Sequence, residues 1–211
     1  MAQASLGAND AWQWIVRGWR LFLKNPVVWV VLTLIYIVSL FVLNMVPVVG
    51  ALLAALLTPA LIAGLLFGAS ELDQGRALAP EHLFRAFQDQ PRLLQLVLLG
   101  LVPLAVTLLQ KGVMGLALPQ ELTTLVGLVL SLAGACTLLF GLPLVMLGNK
   151  TAVEAVPASL RACLAQPLAV AVFLGLALLL MILAMIPLGL GLLVYLPVMV
   201  GAVYAGYRQV I

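Results

Sequence analysis

Six apolar runs, near residues 26–44, 48–70, 92–110, 122–147, 168–186 and 188–207, constrain this chain more than any other feature. Each is close to the roughly 20 residues that a helix needs to cross the hydrocarbon of a bilayer. In lipid a lone segment satisfies its backbone N–H and C=O groups only by coiling, so such runs predict helices. Little else is available to cover a water-exposed globule. Hydrophobic residues make up 65% and charged residues 8% of the 211 positions, whereas soluble domains carry about 25% charge. The expected fold is all-α: a polytopic membrane helix bundle of about six transmembrane helices.

The joins pair the runs. Residues 46–50 and 186–189 leave room only for tight turns, so 26–70 and 168–207 read as helical hairpins. The middle pair is joined by a longer segment holding Lys111, Gly112, Pro119 and Glu121. Charge then orients the hairpins. Six spans put Arg17, Arg20, Lys24, Arg76, Arg85, Arg92, Lys150, Arg161 and Arg208 on one side and Lys111 alone on the other. The positive-inside rule therefore predicts cytoplasmic termini and cytoplasmic long loops. The run after Lys24 is of span length and lacks a small-x-small cleavage site, so it reads as an uncleaved helix.

A spacing recurs in front of three of the runs. Arg20 precedes Pro26, Arg85 precedes Pro91 and Arg161 precedes Pro167, each by six residues, with Asn or Gln just before the proline. Proline suits the first turn of a helix and keeps its predecessor out of the α region, so each should separate a short helix from a span. The first short helix sets Trp12, Ile15, Trp19 and Phe22 against Gln13, Arg17, Arg20 and Lys24, the pattern of a helix lying in the membrane interface. The second sets Leu83, Phe84 and Phe87 against Glu81, Arg85 and Gln88. The third opens with the capping pair Thr151 and Glu154 and carries Val153, Val156, Leu160 and Cys163. The expectation is one integral membrane domain over 1–211, built from degenerate hairpin units 10–75, 79–150 and 151–211 with short cytoplasmic interfacial helices. Arg20, Arg85 and Arg161 would then meet lipid headgroups.

The segments GWRLFLKNPVVW, TPALIAGLLFGASELDQG, EAVPASLRACLAQP and VYLPVMVGAVYAGYRQVI resemble a family of bacterial six-span transmembrane proteins of no established activity. More distantly, they are similar to the membrane domain that accompanies some glycerophosphoryl diester phosphodiesterases. The resemblance implies a bacterial inner-membrane location. It transfers no active site, since its shared positions are aromatic, proline and glycine residues, and no soluble phosphodiesterase domain is expected beside the spans.

Reactive constellations are sparse. Glu71 and Asp73 form a carboxylate pair without a recognisable partner, and His82 is the sole histidine. Cys136 and Cys163 fit neither a metal motif nor an expected disulfide. No cofactor, metal or catalytic residue is therefore assigned, and the scattered basic residues do not form a nucleic-acid face. No ionisable residue falls clearly within a span, which argues against proton- or ion-coupled pumping. Asn44, Thr58, Thr107, Gln110, Ser131 and Thr137 read as helix–helix hydrogen-bonding groups. Gly127, Gly134, Gly141 and Gly148 repeat every seven residues and predict a narrow packing face on the fourth span. Pro59, Pro143 and Pro197 should kink the second, fourth and sixth. The leading expectation is a non-enzymatic bundle that associates with membrane lipid, with another membrane protein or with itself. The alternative is a permease or channel for a small solute, and an enzyme acting on lipid phosphates comes third.

Overall fold

The computed structural model describes residues 6–46, 48–116 and 118–211. Among these residues eight α-helices follow one another: α1 Ala8–Lys24, α2 Pro26–Asn44, α3 Val49–Asp73, α4 Gln90–Met114, α5 Gln120–Met146, α6 Ala152–Ala165, α7 Pro167–Met185 and α8 Leu192–Val210. A 3₁₀ helix, Pro80–Gln88, lies between α3 and α4. Five of the helices, α2, α3, α4, α5 and α7, are long and apolar enough to cross a membrane. The sixth apolar run is shifted along the chain. Apolar residues 186–191 form a turn, with Leu188 and Gly189 at positive φ, so α8 starts at Leu192 and takes in Arg208 and Gln209.

Proline marks where several helices begin. Pro26 and Pro167 open α2 and α7, and Pro91 is the second residue of α4. Asn25 and Asp89 accept hydrogen bonds from the Val28 and Arg92 N–H groups, satisfying donors that a first turn leaves open. Gln166 instead reaches across the chain and accepts from the Leu6 N–H at 2.6 Å.

Cross-chain bonds gather alternate helix ends at one end of the bundle. Lys24 Nζ, at the end of α1 just before α2 begins, donates to the Leu72 carbonyl near the end of α3. Arg92 donates to Asn149, joining the start of α4 to the end of α5. Gln209 Nε2 donates to Asp10, joining the end of α8 to α1.

The three short helices are not peripheral. Trp14 of α1 is buried, edge-on to Phe140 of α5 and Phe173 of α7. Ile15, Leu21 and Phe22 are buried with it, whereas Trp12 and Trp19 stay exposed. The segment Pro80–Gln88 buries Leu83 and Ala86 against α3. Helix α6 turns Ala152, Ala155, Ser159 and Cys163 inward and leaves Val153 80% exposed, a face rotated from the hydrophobic one. Small side chains permit the closest approach, and the inward face of α6 is its small-residue face. Packing also departs from chain order. The 3₁₀ helix rests on α3 and α6 on α5, each the long helix before it, while α1 rests on α8.

Candidate functional site

The charged end of the bundle holds two adjoining clefts that share Tyr204 and Arg208. The first, of about 410 Å³, is walled by Arg17, Arg20 and Lys24 of α1, Asp73 of α3 and Arg208 of α8. Positions 17, 20 and 24 are three and then four residues apart, so the helix sets their side chains in one row. The floor is organised by hydrogen bonds. The Tyr204 hydroxyl donates to Asp73 Oδ2 at 2.9 Å and accepts from an Arg208 guanidinium N–H at 3.5 Å. Four cations thus face one carboxylate.

The second cleft, of about 390 Å³, has its charges matched apart from the shared Arg208. Arg76 pairs with Glu71, and Arg92 with Asp89 at 3.3 Å and with the Asn149 side chain. Asn149 takes a left-handed conformation (φ 52°), which asparagine tolerates and which turns the chain after α5. The bond from Glu71 holds the Arg76 guanidinium above its ordinary pKa. Among the described residues, Arg76–Glu71 and Arg92–Asp89 are the ion pairs, so Arg17, Arg20 and Arg208 belong to none.

The structure does not bring Arg20, Arg85 and Arg161 together. Arg20 lines the first cleft. Arg85 bonds Gln88 at 2.8 Å and stacks over Phe67 at 5.6 Å, while Arg161 bonds the Pro157 carbonyl of its own helix. Arg17, Lys24, Arg208, Tyr204 and Asp73 are the partners that sequence reasoning missed for Arg20. The row of Arg17, Arg20 and Lys24 was a signal for two of these five. Glu71 and Asp73 point to different partners, Arg76 and Tyr204. His82 Nδ1 faces the Ala79 N–H, and its ring meets Phe67 edge-on. Among the described residues, no group of three or more His, Cys, Asp or Glu is placed to hold a metal ion.

Within the long helices, most polar side chains bond backward rather than sideways. Asn44, Thr58, Thr107 and Thr137 each donate to the carbonyl four residues earlier in their own helix. Gln110 is the interhelical case, donating to the Gly127 carbonyl and to Ser131 across α4 and α5. The glycine row of α5 faces α4 over much of its length. Gly127, Gly134 and Gly141 approach Gln110, Val106 and Leu99, while Gly148 approaches Tyr207 of α8. Pro59, Pro143 and Pro197 lie inside α3, α5 and α8. Pro59 cannot bond the Ala55 carbonyl, and Gly100 lets α4 close on that turn. Cys163 Sγ donates to the Cys136 carbonyl at 3.5 Å, and both cysteines are free.

An apolar cavity of about 380 Å³ lies between α1, α7 and α8, bordered by Trp12, Trp19, Leu180 and Val198. It opens on the face of α1 away from the basic row.

No family model matches the chain, and no solved structure matches it. Among curated proteins, the chain is similar to one from Burkholderia thailandensis described as a probable inner membrane protein, 28% identical over 89 residues. That match covers 42% of this chain and 33% of the relative, so the chain matches about a third of the relative's length. Nothing in these comparisons links it to glycerophosphoryl diester phosphodiesterases. Five span-length apolar helices and this similarity make the chain a transmembrane protein.

Proposed function

We propose that this protein is a non-enzymatic inner-membrane bundle that crosses the bilayer six times, keeps both termini in the cytoplasm and associates with anionic lipid through its charged end. One observation carries the reading: basic residues distant in sequence, Arg17, Arg20, Lys24, Arg92 and Arg208, line adjoining clefts at a single end. A basic residue near an anionic leaflet gains about 1 kcal/mol of attraction, weakened by salt. The starts of α2, α4 and α7 and the ends of α3, α5 and α8 lie toward that same end, which supports an even number of crossings. The printed description of the Burkholderia relative supports the inner membrane.

Lipid retained by purified protein, measured by native mass spectrometry in mild detergent, tests the association. Enrichment of anionic over zwitterionic lipid that falls with rising salt is expected, and salt-independent retention of both alike would reject it. Topology has its own test. With Cys136 and Cys163 replaced, single cysteines at 111–116 should be labelled from outside intact cells and those at 74–79 should not.

A second reading, a permease for a small apolar solute, draws on the cavity between α1, α7 and α8, which abuts Pro197 through Val198. Protein-dependent release of an apolar dye from proteoliposomes would favour it.

A further inference from the structure

We infer that the cleft between α1 and α8 is a discrete site for a terminal phosphate group, carried either by a lipid phosphomonoester or by a free phosphate compound. It deepens the lipid-associating reading and rests on the same charged end. The neighbouring cleft gives every guanidinium that lines it, except the shared Arg208, a carboxylate or amide partner. In the first cleft, Arg17, Arg20, Lys24 and Arg208 face Asp73 alone. Asp10, earlier on α1, acts on Arg17 from a distance but does not line the cleft, and its oxygens accept from the Gly7 N–H at 2.8 Å and from Gln209 at 2.9 Å.

The arrangement is directional as well as positive. Asp73 fixes the Tyr204 hydroxyl, and that hydroxyl in turn holds Arg208 opposite the row on α1. Two walls of N–H donors then converge on one space, floored by Leu21 and Ala205. Planar guanidinium forks match phosphate oxygens, and charge-assisted bonds of this kind are roughly twice as strong as neutral ones. A phosphomonoester carries about −1.5 to −2 at neutral pH and three terminal oxygens, whereas a diester carries one negative charge. Four cations against one carboxylate favour the former. Lys24 Nζ already caps the Leu72 carbonyl, which leaves it two protons for a ligand.

The test loads the purified full chain with phosphatidic acid, phosphatidylglycerol and phosphatidylcholine in equal amounts and counts retained lipid by native mass spectrometry. Wild type should retain phosphatidic acid about tenfold over phosphatidylglycerol, since each added charge contact gives roughly fivefold or more. Arg17→Gln with Arg20→Gln should abolish the preference, while Arg161→Gln, outside the cleft, should keep it. If the double variant fails to fold, the wild-type comparison still decides, and Tyr204→Phe, which releases Arg208, should reduce the preference. Competition with inorganic diphosphate separates the sources. Displacement of phosphatidic acid by millimolar diphosphate supports a site open to free phosphates, and its failure supports a lipid-borne phosphate. Equal retention of the two anionic lipids overturns the site but leaves the proposed function standing. Retention of neither above phosphatidylcholine overturns both.

Discussion

Helices α1 and α6 do the same job by different means. Each is a short helix packed on a long one, α1 on α8 and α6 on α5. The first contact is made by absence of side chain. A Cβ on Gly18 would overlap the Val198 carbonyl and stand 2.7 Å from the Ala202 nitrogen, and one on Gly201 would stand 2.8 Å from the Gly18 Cα. The second is made by a hydroxyl. Buried Ser159 accepts from the Phe140 N–H at 3.1 Å and donates to the Cys136 carbonyl at 2.6 Å, two groups that an uninterrupted helix would pair with each other. Close backbone approach distinguishes the first contact, to which Gln209 adds bonds with Trp14 and Asp10, and a hydroxyl bridging two backbone groups distinguishes the second.

The largest effect should come from filling the first contact. The α1–α8 crossing has backbone on both sides, which cannot rotate away as a side chain can. Gly201→Leu or Gly18→Leu should therefore cost about 3 kcal/mol, the upper part of the overpacking range. The detergent melting temperature should fall by several degrees, and Trp14 fluorescence should shift as its burial against Phe173 loosens. Wild-type values for both variants would mean that α1 is not held by close approach.

The glycine row of α5 gives a graded comparison. At Gly134 an added Cβ meets a side chain, Val106 Cγ2, at 3.0 Å, and at Gly141 it meets Leu99 at 3.8 Å, an ordinary contact. Gly134→Leu should cost about 1–3 kcal/mol. Gly141→Ala should be within about 0.5 kcal/mol of neutral, since alanine gains helix propensity at a point with room for a methyl. Equal loss at both would show that the row is packed more tightly than these distances allow.

Ser159→Ala should cost less than the glycine crossing, about 1 kcal/mol. Without the hydroxyl, Phe140 N–H and Cys136 C=O still stand four residues apart within α5 and can satisfy each other, so neither group is orphaned. Ser159→Val should cost more, because it adds bulk at a fully buried position against α5. An alanine variant as damaging as Gly201→Leu would erase the contrast between the two contacts.

What the sequence carried of this fold follows from the same physics. The long helices were legible because twenty apolar residues have few other stable fates in lipid, and their starts because proline at 26, 91 and 167 has one good place in a helix. The start of α8 was misjudged by four residues. Leu188 is apolar, yet it sits at φ 55° in a turn, and hydropathy does not report backbone dihedrals. The inward face of α6 was not legible from hydrophobicity: the small Ala155 and Ser159 are inside and the larger Val153 is outside. Of the candidate headgroup arginines, the cleft contains Arg20 alone, since Arg208 and Asp73 join it only through the third dimension.

The smallest effect concerns the charged caps of the two short helices, and pH separates them. Glu154 accepts from the Thr151 N–H at 3.0 Å and from its hydroxyl at 2.9 Å, and the first of these does most to hold its carboxyl below the ordinary range. Asp10 is lowered chiefly by the Gly7 N–H and next by Gln209. A carboxylate whose folded pKa is depressed contributes stability fully present above its unfolded value, about 4 for these groups, and lost as pH falls through the folded value. Glu154 is exposed and Asp10 only half-buried, so the effect should be small. The melting-temperature gap between wild type and Glu154→Gln, or Asp10→Asn, should be widest near neutrality and close on acidification below about pH 4. The two should differ in what they loosen. Glu154 bonds only within its own cap, whereas Asp10 also ties α1 to Gln209 of α8, so only Asp10→Asn should speed amide exchange at the end of α8. A gap that does not change with pH would remove charge from the account of either cap. Faster exchange in α8 for Glu154→Gln would show that the two docked helices are coupled rather than held separately.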